Sequence, residues 1–270
     1  DIDLLTPYCE SLVLERTNGE IEPWLAKDWE IDTEALTITF HLQEGIKFHD
    51  GSDFNAEVAA WNLQQASDAS VLNPAVVGIE ATGEYELLIT LDEWANSVMA
   101  GFASHSFGMI SKKSVEENGI EWARENPVGT GPFKLEKYTH GESIRYVKNE
   151  DYWQEGKPYL DAIEYIFMSD VMTQNAAMQQ TGADSIDVLN TNSAEQIVTM
   201  ENMPGLSISS YSIGPVSLIP SSLDESSPLS KLEVRQAISY AIDRDALIAA
   251  RGFGILTAGD QFIPEGFMGH

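Results

Sequence analysis

The chain is poor in cysteine, in basic residues and in long apolar runs, and each shortage excludes a class of protein. Cys9 is the only cysteine, so no intramolecular disulfide can form. No apolar run approaches the length that a membrane-spanning helix needs, and no charged-then-apolar leader stands at residue 1. Lysine and arginine total 15 against 43 acidic residues, a net charge of −28. Such a surface repels nucleic acid phosphates, so the composition predicts no nucleic acid partner.

The excess of acidic residues has two interpretations. A functional one is attraction of a cationic solute, such as a basic peptide or a metal ion. The other is a solvated, self-repelling exterior that keeps the chain soluble. Because the acidic residues are scattered and do not form blocks, the composition favours the second interpretation.

Local motifs of catalysis are also missing. The sequence contains no GxSxG, HExxH, Walker or GxGxxG motif. Gly129–Pro132 is glycine-rich but lacks the lysine and hydroxyl residue that follow in a phosphate-binding loop. Acidic residues are numerous enough for a carboxylate pair, but no spacing indicates one. No two of the five histidines lie two or four residues apart, which argues against a local metal site. We therefore expect neither an enzyme nor a cofactor.

Hydrophobic periodicity predicts a strand followed by a capped helix in the first part of the chain. Apolar and polar residues alternate over 36–42, which is typical of a half-buried strand. Asp50-Gly51 predicts a turn, since glycine reaches positive φ without a steric cost. Asn55 then fits a helix N-cap, with Glu57 in the first turn against the positive end of the helix dipole.

The second half begins at a predicted rigid bend over Gly129–Pro132. Two strands should follow, at 133–138 and 144–148, and Tyr152-Trp153 should pack against a wall of the fold. Further along, the pattern predicts strands at 162–168 and 184–189 and extended segments at 206–211 and 216–219. It also predicts helices at 170–180, at 232–241 and from a cap at Asp243 to residue 250.

Segments that carry this pattern resemble, in the same order, the solute-binding proteins of peptide and nickel ABC importers. The matching blocks are PWLAKDWE (23–30), TITFHL (37–42), KFHDGSDFNAEVAAWN (47–62), PVGTGPFKLEKY (127–138), KNEDYW (148–153) and LEVRQAISYAIDRDALI (232–248). The resemblance implies an extracytoplasmic receptor, in the periplasm or on the outer face of the cytoplasmic membrane. It would capture a small solute and deliver it to an ABC permease, and any lipid anchor would lie outside this chain.

The resemblance leaves the solute open. A short peptide is the first expectation and a nickel or other metal chelate the second. A peptide-sensing or chaperone-like module is the alternative from another class of protein.

The fold implied by the resemblance is the α/β, bilobed, periplasmic-binding-protein-like fold of class II, with mixed sheets flanked by helices. Residues 1–35 and 155–270 would form an incomplete first lobe, and residues 36–154 an inserted second lobe. Members of the family are longer than this chain. The resemblance therefore implies a truncated fold, with a C-terminal third region absent from these residues.

Seven residues are candidates for contact with the solute. PYCES (7–11) resembles a segment near the floor of the family's cleft, the segment around residue 105 resembles one that borders the cleft, and Trp94 is the tryptophan best placed to face it. A loop at 190–192 follows a predicted strand, and ligands of bilobed α/β proteins sit beyond the carboxyl ends of strands. The candidates are Tyr8, Glu10, Trp94, His105, Asn190, Thr191 and Asn192.

Each candidate has a structural alternative. The 190–192 loop would equally serve as a polar cap, and His105 as an ordinary loop residue. For Cys9, which is not a candidate, a buried small apolar role is favoured over a reactive thiol.

Overall fold

A computed structural model describes residues 4–16, 19–95, 97–104, 107–182, 185–209 and 217–259. The chain divides into two compact units, Asp1–Phe167 and Met168–His270. The predicted lobes, 1–35 with 155–270 and 36–154, remain a prediction. In the first unit a strand of residues 26–32 pairs with a strand of residues 37–42, so these neighbours lie on either side of the predicted boundary at residue 35.

The first unit contains nine strands and four helices within its described residues. The strands are β1 (Val13–Glu15), β2 (Ile21–Pro23), β3 (Ala26–Asp32), β4 (Thr37–Leu42), β5 (Val76–Gly83), β6 (Glu86–Leu91), β7 (Phe133–Thr139), β8 (Ser143–Lys148) and β9 (Ala162–Ile166). The helices are α1 (Ala56–Asp68), α2 (Ser97–Ala103), α3 (Lys112–Asn118) and α4 (Ile120–Glu125). The strands form three antiparallel sheets, in the orders β1-β2, β3-β4-β6-β5 and β7-β8-β9.

The core of the first unit lies on one face of the four-stranded sheet. On β4, Ile38 and Phe40 are fully buried, and they pair with Ile89 and Leu87 of β6. The intervening residues of β4 are only partly buried, which confirms the period-two pattern over 36–42. Helix α1 packs against β5 and β6 through buried residues spaced three and four apart. Asn55 caps α1 as predicted by accepting a hydrogen bond from the backbone N–H of Val58 at 3.0 Å.

The second unit consists of helices and irregular segments in its described residues. Its α-helices are α5 (Val171–Gln179), α6 (Ala194–Glu201), α7 (Leu232–Ala241) and α8 (Arg244–Arg251), with a short 3-10 helix over Pro228–Ser230. The predicted helices at 170–180, 232–241 and after Asp243 are thus confirmed. Asp243 accepts a hydrogen bond from the backbone N–H of Ala246 at 2.9 Å, as expected of an N-cap.

One predicted strand of the second unit is wrong. Residues 185–189 of the predicted strand 184–189 belong to no strand, and residue 184 lies outside the described residues. Val188, which should have been buried, is 83% exposed. A short segment with alternating polar and apolar residues forms a strand only where a neighbouring strand pairs with its backbone N–H and C=O groups. The described parts of the extended segments, 206–209 and 217–219, also join no sheet, and residues 210–216 are not described.

The glycine-rich bend of the first unit lies against the backbone of the N-terminal segment. The N–H of Gly131 donates to the carbonyl of Tyr8 at 2.9 Å, and the N–H of Phe133 donates to the carbonyl of Pro7 at 2.9 Å. A Cβ at Gly129 would lie 1.9 Å from the Tyr8 oxygen, and one at Gly131 would lie 2.6 Å from the Pro7 oxygen. The bend predicted from sequence is therefore a close backbone contact that excludes any side chain.

Alanine at either of these glycines should strongly destabilise the protein. The added Cβ meets backbone atoms, which cannot move aside as a flexible side chain can. We expect Gly129→Ala and Gly131→Ala each to lower the free energy of unfolding by more than about 3 kcal/mol in urea titrations. Gly101→Ala in α2 is the matched control, because a Cβ there meets nothing within 4 Å. Equal stability of Gly129→Ala and the control would contradict the close contact.

Candidate functional site

The N-terminal segment places Glu10 in the interior of the first unit. Glu10 is 4% exposed, although carboxylates are seldom buried without a charged partner. Its backbone carbonyl accepts a hydrogen bond from the N–H of Met109 at 2.8 Å. The segment is therefore held by its backbone as well as by its side chains.

Four neutral side chains donate hydrogen bonds to the Glu10 carboxylate. The donors are the indole N–H of Trp24 at 2.9 Å, the Thr130 hydroxyl at 2.9 Å, the Tyr152 hydroxyl at 2.6 Å and the indole N–H of Trp153 at 3.0 Å. No cation among the described residues forms an ion pair with it. Because a carboxylate only accepts hydrogen bonds, this arrangement matches its acceptor capacity to neighbours that donate.

Burial and hydrogen bonding act on Glu10 in opposite directions. Burial raises the pKa of the Glu10 carboxyl, while the donated bonds from Tyr152, Trp153, Thr130 and Trp24 lower it, and burial prevails. The carboxylate in turn raises the pKa of Tyr152, adding to the larger effect of that phenol's own burial. The predicted contact between Glu10 and a solute remains a prediction. What the structure shows is a carboxylate that joins its own segment to three others, around Trp24, Thr130 and Tyr152-Trp153.

Tyr8 lies at the junction of two shallow cavities, of about 140 Å³ and about 150 Å³. Both cavities are lined by Tyr8, Arg124 and Pro127, and the larger also by Tyr146. The rings of Tyr8 and Tyr146 stack with centroids 6.2 Å apart. Burial raises the pKa of the Tyr8 phenol, so it stays protonated at neutral pH. Tyr8 is thus half-buried beside open space, and its contact with a solute is still a prediction.

Trp94 and His105 flank helix α2, but only the first is described. Trp94 is half-buried and packs against the hydrophobic core of the first unit. His105 and Asn96 lie outside the described residues.

Cys9 is buried, and its thiol lies 3.4 Å from the Leu5 carbonyl. Burial and the nearby Glu10 charge raise the pKa of the thiol to about 12. The thiol is therefore not ionised at neutral pH, in line with the structural interpretation.

The 190–192 loop belongs to the second unit. Thr191 donates its hydroxyl hydrogen to the side-chain oxygen of Gln196 at 2.7 Å and accepts a bond from the N–H of Ser193 at 3.1 Å. Asn190 and Asn192 are exposed. The structure brings Tyr8 and Glu10 together in one unit and the three loop residues together in the other. Residues 185–189, which precede the loop, form no strand, so the position beyond a strand end no longer supports these candidates. Their contact with a solute stays a prediction.

Sequence reasoning missed the residues that surround the candidates. The sequence pattern places Trp24 and Thr130 in blocks of the family resemblance and Tyr152 against a wall of the fold, but it assigns none of them to a site and does not single out Gln196. The two adjacent large aromatics, Tyr152 and Trp153, did predict packing against the fold. The sequence does not show that their partner there is a carboxylate. The Ser193-x-x-Gln196 spacing is a local signal of a helix N-terminus, but it does not show that the Gln196 amide is buried against Gln174, 22 residues away.

His49 binds the glycine-rich bend through both nitrogens of its ring. Its Nε2–H donates to the Gly131 carbonyl at 2.9 Å, while Nδ1 accepts from the N–H of Gly129 at 3.4 Å. Only the neutral ring can make both bonds. Burial lowers the pKa of His49 to about 4, and Lys134 adds to this, while the bond to Gly131 and the charge of Asp50 oppose it.

The described residues contain neither a cluster of metal-ligating side chains nor a membrane-spanning helix. No group of three or more histidine, cysteine or acidic side chains there is arranged to hold a metal ion. Among the helices described, none combines the length and apolar character of a membrane span.

Comparison with known proteins places this fold. The profile of the bacterial extracellular solute-binding proteins, family 5 middle region, matches residues 20–270. The glutathione-binding protein GsiB of Escherichia coli K12 is 32% identical over 250 residues, covering 89% of this chain and 47% of GsiB. The chain spans about half the length of the curated relatives it matches.

Solved structures agree on the fold. The periplasmic binding protein AgaA of A. tumefaciens R10, in complex with agropinic acid, superimposes with a TM-score of 0.82 at 28% identity, over 100% of this chain and 55% of AgaA. A dipeptide-binding protein of Pseudoalteromonas sp. SM9913, in complex with Met-Leu, has a TM-score of 0.76 at 22% identity, over 92% of this chain and 54% of that protein. The predicted periplasmic-binding-protein-like α/β fold is confirmed.

Replacing the buried carboxylate by an amide should destabilise the first unit. The new side chain would keep one acceptor oxygen and turn a donating NH₂ group toward indole or hydroxyl donors. We expect Glu10→Gln to lower the free energy of unfolding by about 2–4 kcal/mol, measured by urea titration followed through tryptophan fluorescence. Glu155→Gln, at an exposed position, is the control and should change stability little. A Glu10→Gln variant as stable as the control would show that the donors do not stabilise the charge.

His49 should make the protein less stable in acid. The unfolded imidazole takes up its proton near pH 6.5, whereas the folded one does so only near pH 4. Its contribution is therefore complete above about pH 6.5 and is lost as pH falls toward 4, by about 3 kcal/mol. The unfolding free energy of the wild type minus that of His49→Gln should fall by this amount between pH 7 and pH 4. Titration of Glu10 changes the stability of both proteins alike, so its effect cancels in this difference. A difference in unfolding free energy that does not change with pH would disprove the role of His49.

Proposed function

Because the chain belongs to family 5 of the bacterial extracellular solute-binding proteins, we propose that it is part of the substrate-binding subunit of an ABC importer. The subunit captures a small solute outside the cytoplasmic membrane and delivers it to the permease. The match of the family profile to residues 20–270 carries this proposal.

A short peptide is the proposed solute. The support is the 32% identity over 250 residues to a protein named for glutathione, which is a tripeptide. The exposed amides of Asn190 and Asn192 suit such a solute, since an amide both donates to and accepts from a peptide backbone without selecting its side chains. In the proposed mechanism the protein closes around the solute, and the closed form is the one that the permease receives.

The protein binds its solute without transforming it in this proposal. Within the described residues the most deeply buried acid, Glu10, has its oxygens engaged by Trp24, Thr130, Tyr152 and Trp153. A carboxylate used in this way stabilises the fold and has no oxygen oriented for proton transfer to a solute. Release of a product from a labelled peptide would overturn this part of the proposal.

A thermal-shift screen tests the choice of solute. The protein is heated with glutathione, with trialanine, with Ni²⁺ alone, with Ni²⁺ and free histidine, and with maltose as a control. A ligand at 100 times its dissociation constant stabilises the folded state by about 2.7 kcal/mol. We expect a peptide to raise Tm and maltose to leave it unchanged. A shift with the nickel–histidine mixture alone would favour the metal-chelate alternative, and transport of labelled peptide into cells with the cognate permease would separate uptake from sensing.

A further inference from the structure

A cluster of uncharged amides lies in the interior of the second unit. At its centre is Gln196, in the first turn of α6, which is only 3% exposed. It is the only buried polar side chain among the described residues of that unit. An amide so placed is costly unless its hydrogen-bonding groups are satisfied.

Every hydrogen of the Gln196 amide has a partner. The Nε2 group donates to the side-chain oxygens of Gln174 and Asn175 on α5, both at 2.9 Å. The side-chain oxygen accepts the Thr191 hydroxyl at 2.7 Å. The backbone N–H of Gln196 donates to the hydroxyl of Ser193 at 3.3 Å. A single side chain therefore connects α5, α6 and the loop that precedes α6.

An apolar residue at position 196 would fill the same space at a lower desolvation cost. A satisfied polar network has a different effect, because each bond permits a narrow range of geometry and the network as a whole specifies one arrangement. The network specifies the conformation of the 190–192 loop. Thr191 turns its hydroxyl inward, where it donates to Gln196 and accepts from the N–H of Ser193 at 3.1 Å.

The residues on either side of Thr191 are exposed, whereas Thr191 itself is partly buried. Asn190 and Asn192 alternate with the anchored Thr191, and both are exposed. Without the anchor, the loop would lose the bonds that Thr191 makes with Gln196 and with the N–H of Ser193, and the spacing of the two amides would be less defined. A preformed pair of amides avoids the entropic cost of ordering the loop on binding.

We propose that Gln196 is a positioning residue, which binds no solute itself but sets the conformation in which Asn190 and Asn192 meet a peptide backbone. This inference rests on the proposed function and names the side chain on which its affinity depends. It also assigns different roles within the loop, with Thr191 as the anchor and its neighbours as the contacts.

The test compares Gln196→Met with Met200→Ala in the full protein. Methionine has nearly the length of glutamine but makes none of the amide bonds. Met200 is also buried on α6, so its truncation leaves a cavity in the same helix without touching the amide cluster. Titration calorimetry with glutathione and trialanine gives the affinity. We expect Gln196→Met and Thr191→Val each to weaken binding at least tenfold and Met200→Ala to change it less than twofold.

Hydrogen exchange of the Ser193 amide gives a second readout that needs no ligand. This N–H donates to Thr191, so its exchange reports the anchored loop directly. Gln196→Met should accelerate it at least tenfold more than Met200→Ala does at a similar loss of stability. Equal acceleration in both variants, or unchanged affinity in Gln196→Met, would overturn the inference. If the wild type binds neither probe, the peptide proposal fails, and the exchange data still decide whether Gln196 positions the loop.

Discussion

The buried carboxylate of Glu10 is the interaction on which the rest of the first unit depends. A charge in the interior is tolerated only where other groups replace water as hydrogen-bond donors. Here the donors come from the segments around Trp24, Thr130 and Tyr152-Trp153. None of these segments is a neighbour of Glu10 in sequence, so the carboxylate joins parts of the chain that the sheets alone would leave unconnected.

The glycine-rich bend completes this arrangement from the backbone. Thr130, which donates to Glu10, lies between two glycines that approach the main chain of Pro7 and Tyr8 too closely for any side chain. His49 binds the same bend as a neutral ring. The Glu10 charge, the close approach of the two glycines and the neutral His49 ring therefore all constrain the glycine-rich bend and the N-terminal segment beside it. This explains in physical terms why the segment that contains Tyr8 has a defined position beside the two cavities.

The second unit solves a comparable problem without charge. Gln196 and its amide partners hold a loop against two helices, and each neutral group is matched to a neighbour. An amide cluster costs less to bury than a carboxylate, but it depends equally on complete satisfaction of its donors and acceptors. Both clusters involve candidates for contact with the solute: Glu10 itself in the first unit, and the loop around Thr191 in the second.

The sequence by itself determined the local elements and the family. Alternation over 36–42, the cap at Asn55 and the helix over 232–241 depend on neighbours within a few residues, and all three appear in the structure. The strand predicted over 184–189 is absent from its described residues 185–189, because a strand also needs a partner that local pattern does not supply. Only the tertiary structure decided that Glu10 meets two indoles and that Gln196 meets Thr191. Those contacts join residues 5 to 143 positions apart, and their strength comes from burial, which no local pattern records.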